Sequence, residues 1–508
     1  MLPMLETYVK KILSSKVYDL AKETPLATAP LLTQRFGAQV YLKREDLQSI
    51  FSFKLRGAYN RMVHIGANQL EKGVVTASAG NHAQGVAVAA DKLNVKATVV
   101  MGLNTPAIKV ESVKNFGAKV ILHGDSYDEA SEFAKNLAES EGSTYIHPYD
   151  DPLVIAGQGT VGMEIANQHT GNIDAIFVPV GGGGLIAGIA SFFKYLRPQT
   201  KIIGVEAEGS ACLFEAKKSG RRVKLPRESL DLFADGVSVA QIGDEPFKIA
   251  KHHVDAVVKV STDEICASIK DVFEETRSIA EPAGALAVAG MKKYLSTSKR
   301  KLSTVVAIVS GANVNFDRLR HISERAEVGE DREAIFATTI KEERGSFLDF
   351  CRDLGKCSIT EFNYRKTQED LANIYVGLEI ASKEKRKDLL KKLKVKGYRV
   401  VDMTDNEAAK VHIRHMVGGP KLDSQDELLY RFEFPERPGA LMQFLTVLGS
   451  RWDISLFHYR NHGAAWGRVL VGFCSNESER NELSSYLAKI GYRFWEEDTN
   501  PAYKLFLS

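Results

Sequence analysis

Three short loops and one lysine carry the residue types best suited to chemistry. Ser78-Ala79-Gly80-Asn81 follows the β-rich run VVTA (74–77), Gly181-Gly182-Gly183-Gly184-Leu185 follows AIFVPV (175–180), and Ser310-Gly311-Ala312-Asn313 follows TVVAIV (304–309). All three therefore fall at carboxyl ends of expected strands, where open α/β sheets hold their ligands. Four glycines in a row leave main-chain N–H groups free to close round an anion, and the helix starting there adds its positive end; phosphate is the natural guest. A tight turn that glycine merely permits is the plainer reading, but four exceed what one turn needs. The spacing is neither GxGxxG nor GxxxxGK[ST], so a nicotinamide dinucleotide is the weaker alternative.

The lysine is Lys54 in SFKLRGAYN (52–60), near the start of an amphipathic helical pattern, behind Phe51 and Phe53 and just before Arg56. A desolvated lysine close to other cations has a lowered pKa and can offer a free amine for Schiff-base formation. Taken by its local context alone, it reads rather as an exposed helix residue. His82 and His147 lack partners for a triad or metal cluster, so capping or packing is expected of both. Glu281 precedes Pro282 and suits the first turn of a helix.

The elements that must position these groups alternate. Up to about residue 322, short apolar runs, which also include ATVVM (97–101), AKVIL (118–122) and KIIGVE (201–206), are separated by helical patterns such as NHAQGVAVAADKL. That alternation predicts parallel sheet covered by helices on both faces. The charge-rich segment 323–334 reads as a connector. After it comes an internal repeat with a period of roughly 95 residues, too long for a solenoid unit. Glu343-Arg344-Gly345 answers Glu436-Arg437-Pro438-Gly439, Phe362-Asn363-Tyr364-Arg365 answers Phe457-His458-Tyr459-Arg460, Gly397-Tyr398 answers Gly491-Tyr492, and the tails at 406–410 and 500–504 agree. Each copy, 335–420 and 427–508, reads strand, helix, two strands, helix, strand, a ferredoxin-like order.

Bulk properties exclude other classes. A formal charge of +3 without a basic block argues against a nucleic-acid surface. The 5 cysteines are scattered without CxxC spacing, which suits free thiols in a reducing compartment. The N-terminus lacks the apolar core of a signal peptide, and the uncharged run 175–193 is broken by Pro179 and the glycines, so no membrane span is expected and the cytoplasm is the expected location.

The set SFKLRGAYN, SAGNHAQG, GGGGL, EPAG and SGANVNF, in this order, with KREDLQ (43–48) ahead of it, resembles the fold-type II pyridoxal-phosphate enzymes, and more narrowly the biosynthetic threonine dehydratases. The resemblance runs through essentially the whole chain, its tandem repeat matching a pair of ACT-like domains. It implies a tryptophan-synthase-β-like catalytic domain over 1–322, with pyridoxal 5′-phosphate joined to Lys54 as an imine. Gly181, Gly182, Gly183, Gly184 and Leu185 would then hold the phosphate, Asn81 the ring hydroxyl, and Ser310 the pyridine nitrogen. A neutral serine there does not protonate the ring, which favours β-elimination over transamination. Lys54 would remove the Cα proton of L-threonine, and Ser78, Ala79, Gly80 and His82 would form the loop that binds the substrate carboxylate. Glu281 is placed near the cofactor. Serine-racemising relatives carry a second serine where Ala79 stands, so poor racemisation is expected. Relatives that bind a divalent cation use acids after a GVE segment; here Glu206 is present but Cys212 stands where a later acid is expected, so no metal is predicted.

For the second half the resemblance implies isoleucine as inhibitor and valine as its antagonist, with Tyr364, Arg365, Tyr459 and Arg460 as effector-site candidates, arginine suiting a carboxylate. Strand packing between the copies is the competing role for these four. A homotetramer is the family expectation. Three alternatives stay open: another fold-type II lyase acting mainly on L-serine, an amino-acid sensor that has lost catalysis, and a nicotinamide oxidoreductase.

Overall fold

The computed structural model describes residues 2–499 apart from 104, 125–126, 299–300, 317, 344, 356, 366–370, 407–408, 411–426, 436–438, 450, 461–465, 476 and 498. It divides into a unit Met1–Ala326 and a unit Glu327–Ser508. Among the described residues the first unit holds ten strands: β1 (Leu26–Thr28), β2 (Gln39–Arg44), β3 (Val74–Ala77), β4 (Ala97–Met101), β5 (Lys119–Leu122), β6 (Thr144–Tyr145), β7 (Ala175–Pro179), β8 (Lys201–Ala207), β9 (Ala256–Val260) and β10 (Thr304–Val309). They form a 6-stranded sheet, β1-β2-β10-β7-β8-β9, and a 4-stranded sheet, β5-β4-β3-β6. Every pairing is parallel except β1 with β2.

Uninterrupted apolar strands arise because both faces of the larger sheet are covered. Along β7, Ile176 and Val178 enter one core cluster with Phe193 and Ile249, while Ala175 and Phe177 enter another with Leu286 and Val288. Alternate side chains point to opposite faces, so a strand buried on both sides has no polar register to show. The run 175–193 is this strand followed by the buried helix Gly184–Leu196. Among the described residues no helix is long and apolar enough to cross a membrane.

The charge-rich segment read as a connector is largely regular. Arg318–Gly329 is a helix whose Arg325 pairs with Asp263 at 2.9 Å, and a strand has already begun at Glu333. In the second unit, β11 (Glu333–Lys341), β12 (Ile359–Arg365), β13 (Leu371–Glu379) and β14 (Arg399–Asp402) precede β15 (Glu427–Pro435), β16 (Asp453–Arg460), β17 (Trp466–Cys474) and β18 (Arg493–Glu496). Together they make one 8-stranded sheet, β14-β11-β13-β12-β16-β17-β15-β18. Each half has the ferredoxin-like strand order and the halves meet through the antiparallel pair β12–β16, with Phe362 opposite Tyr459 and Tyr364 opposite Phe457. The two copies of the FxYR motif are thus the seam of the sheet. One core, with Phe336, Phe362, Phe432 and Phe457 all buried, runs beneath both halves. The motif parts Arg344 and 436–438, the stretch 411–426 between the copies and the tail 500–504 lie outside the described residues.

Candidate active site

The three strand-end loops converge although their strands belong to different sheets. β7 and β10 are neighbours in the larger sheet, and β3 brings its loop from the smaller one. Between the sheets lies a pocket with about 490 Å³ of open space, lined by Lys54, Asn81, Gly181 to Leu185, Glu281 and Ser310, together with Phe53, Pro148, Tyr149, Gln158, Pro179, Gly236, Val237 and Ala283.

Lys54 starts the helix Lys54–Val63, and the chain before it is pinned to the Ser310 loop. Ser52 bridges Gly311, Phe53 N–H donates to the Ser310 carbonyl at 3.3 Å, and Ala312 N–H donates to the Phe51 carbonyl at 2.9 Å. Phe51 is held at φ +55°, a conformation costly for a bulky side chain, which these bonds over-determine. The Lys54 amine donates to the Pro148 carbonyl at 3.2 Å and lies 5.4 Å from the Phe53 ring centroid. Burial lowers its pKa to about 8, against the opposing charge of Glu281. The cation expected beside it is elsewhere: Arg56 is fully buried and turned to Glu45 and Glu164, at 2.8 Å and 2.5 Å.

Asn81 begins the helix Asn81–Leu93 with its amide fixed at both ends. Nδ2 donates to Glu281 Oε1 at 2.6 Å, and Oδ1 accepts from Asn313 Nδ2 at 2.7 Å. Nδ2 keeps a second hydrogen for a ring hydroxyl. Burial, reinforced by Asp235, pushes the Glu281 carboxyl up to about 8. The Ser310 hydroxyl donates to the Ala283 carbonyl at 3.2 Å and can rotate toward a guest.

The glycine loop owes its residue type to space. A Cβ on Gly182 would lie 2.1 Å from the Tyr149 ring, and Gly183 has φ +92°. The helix Gly184–Leu196 opens directly on the loop, so its unpaired N–H groups face the pocket end. Lys54 is the one cation among the residues lining the pocket. The residues fit pyridoxal phosphate: a main-chain cradle for the phosphate, a near-neutral buried amine for the aldehyde, an oriented amide for the hydroxyl and an uncharged hydroxyl for the ring nitrogen.

Ser78, Ala79 and Gly80 are half-buried at the end of β3, with Ser78 Oγ accepting Gly80 N–H at 3.3 Å. His82, grouped with them by position, is buried: Nε2 meets the Ile146 carbonyl at 3.1 Å, and burial, with the nearby charge of Lys54, lowers the imidazole pKa to about 3. His147 holds the turn after it, Nδ1 accepting Asp150 N–H at 2.8 Å. Glu206 accepts Leu213 N–H and Phe214 N–H, both at 2.8 Å, and so caps the helix Cys212–Ser219. Among the described residues no cluster of His, Cys, Asp or Glu could hold a metal ion. Tyr149 and Gln158 are pocket residues that the motifs did not single out; the first merely follows a His-Pro pair, and the second sits in mid-helix.

Comparison with known proteins agrees with this geometry. Residues 17–311 match the family model described as pyridoxal-phosphate dependent enzyme. Residues 324–413 and 418–507 each match the C-terminal regulatory domain of threonine dehydratase. The chain is 52% identical to the biosynthetic L-threonine dehydratase IlvA of Burkholderia multivorans, over 99% of both chains. It is 49% identical to the enzyme of that name from Escherichia coli, over 99% of this chain and 97% of the other. Among solved structures, the processed form of threonine deaminase isoform 2 from Solanum lycopersicum superposes with a TM-score of 0.62 at 50% identity, covering 64% of this chain and 94% of that one. The fold and the pocket thus define a pyridoxal-phosphate dependent enzyme. Within that class, the chain belongs to the biosynthetic threonine dehydratases.

Proposed function

We infer that the chain eliminates water from L-threonine and releases 2-oxobutanoate and ammonia, the committed reaction of isoleucine synthesis. The observation that carries this is a buried amine, lowered to about 8, in one pocket with a four-glycine anion cradle. Bound there, the cofactor supplies an electrophilic aldehyde and an electron-accepting ring, which acidify the Cα–H of an attached amino acid. Gly181 to Leu185 hold its phosphate through main-chain N–H groups, and Asn81, fixed by Glu281 and Asn313, orients its ring. Ser310 offers only a neutral hydroxyl, so negative charge generated at Cα leaves with the β-substituent. Main-chain N–H groups of Ser78 to Asn81 hold the substrate carboxylate. Lys54 Nζ takes the Cα proton, the general-base step its near-neutral pKa suits. The Cα–H and Cβ–O bonds break, the hydroxyl departs with a proton as water, and hydrolysis of the enamine returns one water and yields ammonia.

Catalysis belongs to the unit before Ala326 and regulation to the one after it. The pocket that best suits an effector lies in the second unit, about 550 Å³ of open space between Ile340 to Leu348 on one repeat and Leu445 to Ile454 on the other. Phe347, Leu445, Leu448 and Trp452 suit a branched aliphatic side chain, and Glu342 and Asp453 suit an ammonium group. Tyr364 lines it and donates to Glu342 at 2.8 Å, whereas Tyr459 packs against the shared core. The Arg365 and Arg460 side chains lie outside the described residues. Isoleucine and valine are the proposed occupants. Assembly as a cytoplasmic homotetramer is part of the same reading, in keeping with five free thiols. One experiment tests the whole: 2-oxobutanoate from threonine, and pyruvate from serine, by wild type and Lys54→Ala, with and without isoleucine. Activity surviving in Lys54→Ala would sink the mechanism, and faster turnover of serine would reassign the substrate.

A further inference from the structure

We propose that Gln158 binds the phosphate end of the cofactor as a side-chain donor beside the glycine cradle; this rests on the cofactor reading above. Gln158 lies in the middle of the helix Pro152–Gln168, is 1% exposed and lines the pocket. Neither its Oε1 nor its Nε2 has a hydrogen-bond partner among the described residues. Buried polar groups are almost always paired, so an amide left wholly unpaired marks a site waiting for a guest. Its place says which guest. One flank of its helix packs on the helix that Lys54 begins, where a Cβ on Gly57 would come within 2.4 Å of Nε2. The other flank packs on the helix that opens at the glycine loop. Gln158 thus lines the same pocket as the lysine and the glycine cradle, on a helix packed against the elements that carry both.

Four other polar side chains of the pocket already have partners: Asn81 with Glu281 and Asn313, Ser310 with Ala283, and Lys54 with Pro148. Lys54 is also the lone cation among the lining residues, and its amine is committed to the aldehyde. A phosphate held there must be stabilised by neutral donors alone, and Nε2 brings two N–H groups in addition to those of the main chain.

The test uses the full chain, stripped of cofactor and retitrated with pyridoxal phosphate or with pyridoxal, which lacks the phosphate. Gln158→Met keeps the volume and removes both hydrogen-bonding atoms. Its apoenzyme should melt at or above the wild-type temperature, since an unpaired amide is lost. Its Kd for pyridoxal phosphate should rise about tenfold or more, while that for pyridoxal stays unchanged. Gln158→Glu should bind pyridoxal phosphate more weakly still, by like-charge repulsion. Equal losses for both ligands, unchanged binding of pyridoxal phosphate, or a destabilised Gln158→Met apoenzyme would overturn the assignment. Failure of the wild type itself to take up pyridoxal phosphate would instead remove the cofactor reading beneath it.

Discussion

The amine of Lys54 is tuned by desolvation, because the neighbouring Arg56 is engaged with carboxylates on the far side of the helix. A base whose folded pKa of about 8 lies below its ordinary 10.5 binds fewer protons than in the unfolded chain between those values. Two consequences have a sign. The apoenzyme should gain stability from this group as pH rises from about 8 to 10.5, detectable as a rising midpoint in denaturant. Capture of pyridoxal phosphate should accelerate through a midpoint near 8, and a rate independent of pH from 6 to 10 would refute a near-neutral amine. The cradle offers a steric prediction. Gly182→Ala places a methyl 2.1 Å from the Tyr149 ring, and cofactor retention should weaken roughly tenfold, a strain of about 1–3 kcal/mol. Fluorescence titration of the apoenzyme reads it.

Below the lysine helix, Lys43 on β2, Glu45, Arg56 and Glu164 form a closed group of two cations and two carboxylates, with Lys43 to Glu164 at 2.6 Å. All four are 0–1% exposed, so no water replaces a lost partner. Arg56→Leu should cost about 3–5 kcal/mol, chiefly because two buried carboxylates are then left with Lys43 as their one remaining cation. Denaturant unfolding of the apoenzyme checks this; a loss under about 1 kcal/mol would show that solvent enters. The same group explains what could be read from the residues alone. Strands β3, β4, β7 and β10 announce themselves as unbroken apolar runs, and the loops after three of them stand out by composition. β2 does not: QVYLKR ends in two cations that look solvated, yet Lys43 is buried through a glutamate far away in sequence. Gln158 is silent for the same reason, being an ordinary helix residue until the packing shows that nothing satisfies it.

The chain keeps its two tasks in separate units, with the match to the pyridoxal-phosphate enzymes ending at residue 311 and the regulatory-domain matches beginning at 324. A chain ending at Ala326 should therefore retain threonine dehydration while losing its response to isoleucine, which assay with and without the effector checks. Loss of all activity despite bound cofactor would mean that the second unit shapes the pocket. The repeat was legible because FNYR and FHYR recur at matching places, and the strand packing between the copies weighed for those motifs is what β12 and β16 form; their antiparallel register was not legible, since strand partners chosen across a duplication leave no mark on periodicity. That seam has a lineage. Cut from its twin, either half would present a bare strand edge at the FxYR segment, and the surface that fits it is the same segment of another molecule. The regulatory unit is in effect a dimer written into one polypeptide. Fusion fixes the stoichiometry at one to one and frees each half from self-matching, so that Tyr364 could come to line a groove while Tyr459 packs against the shared core.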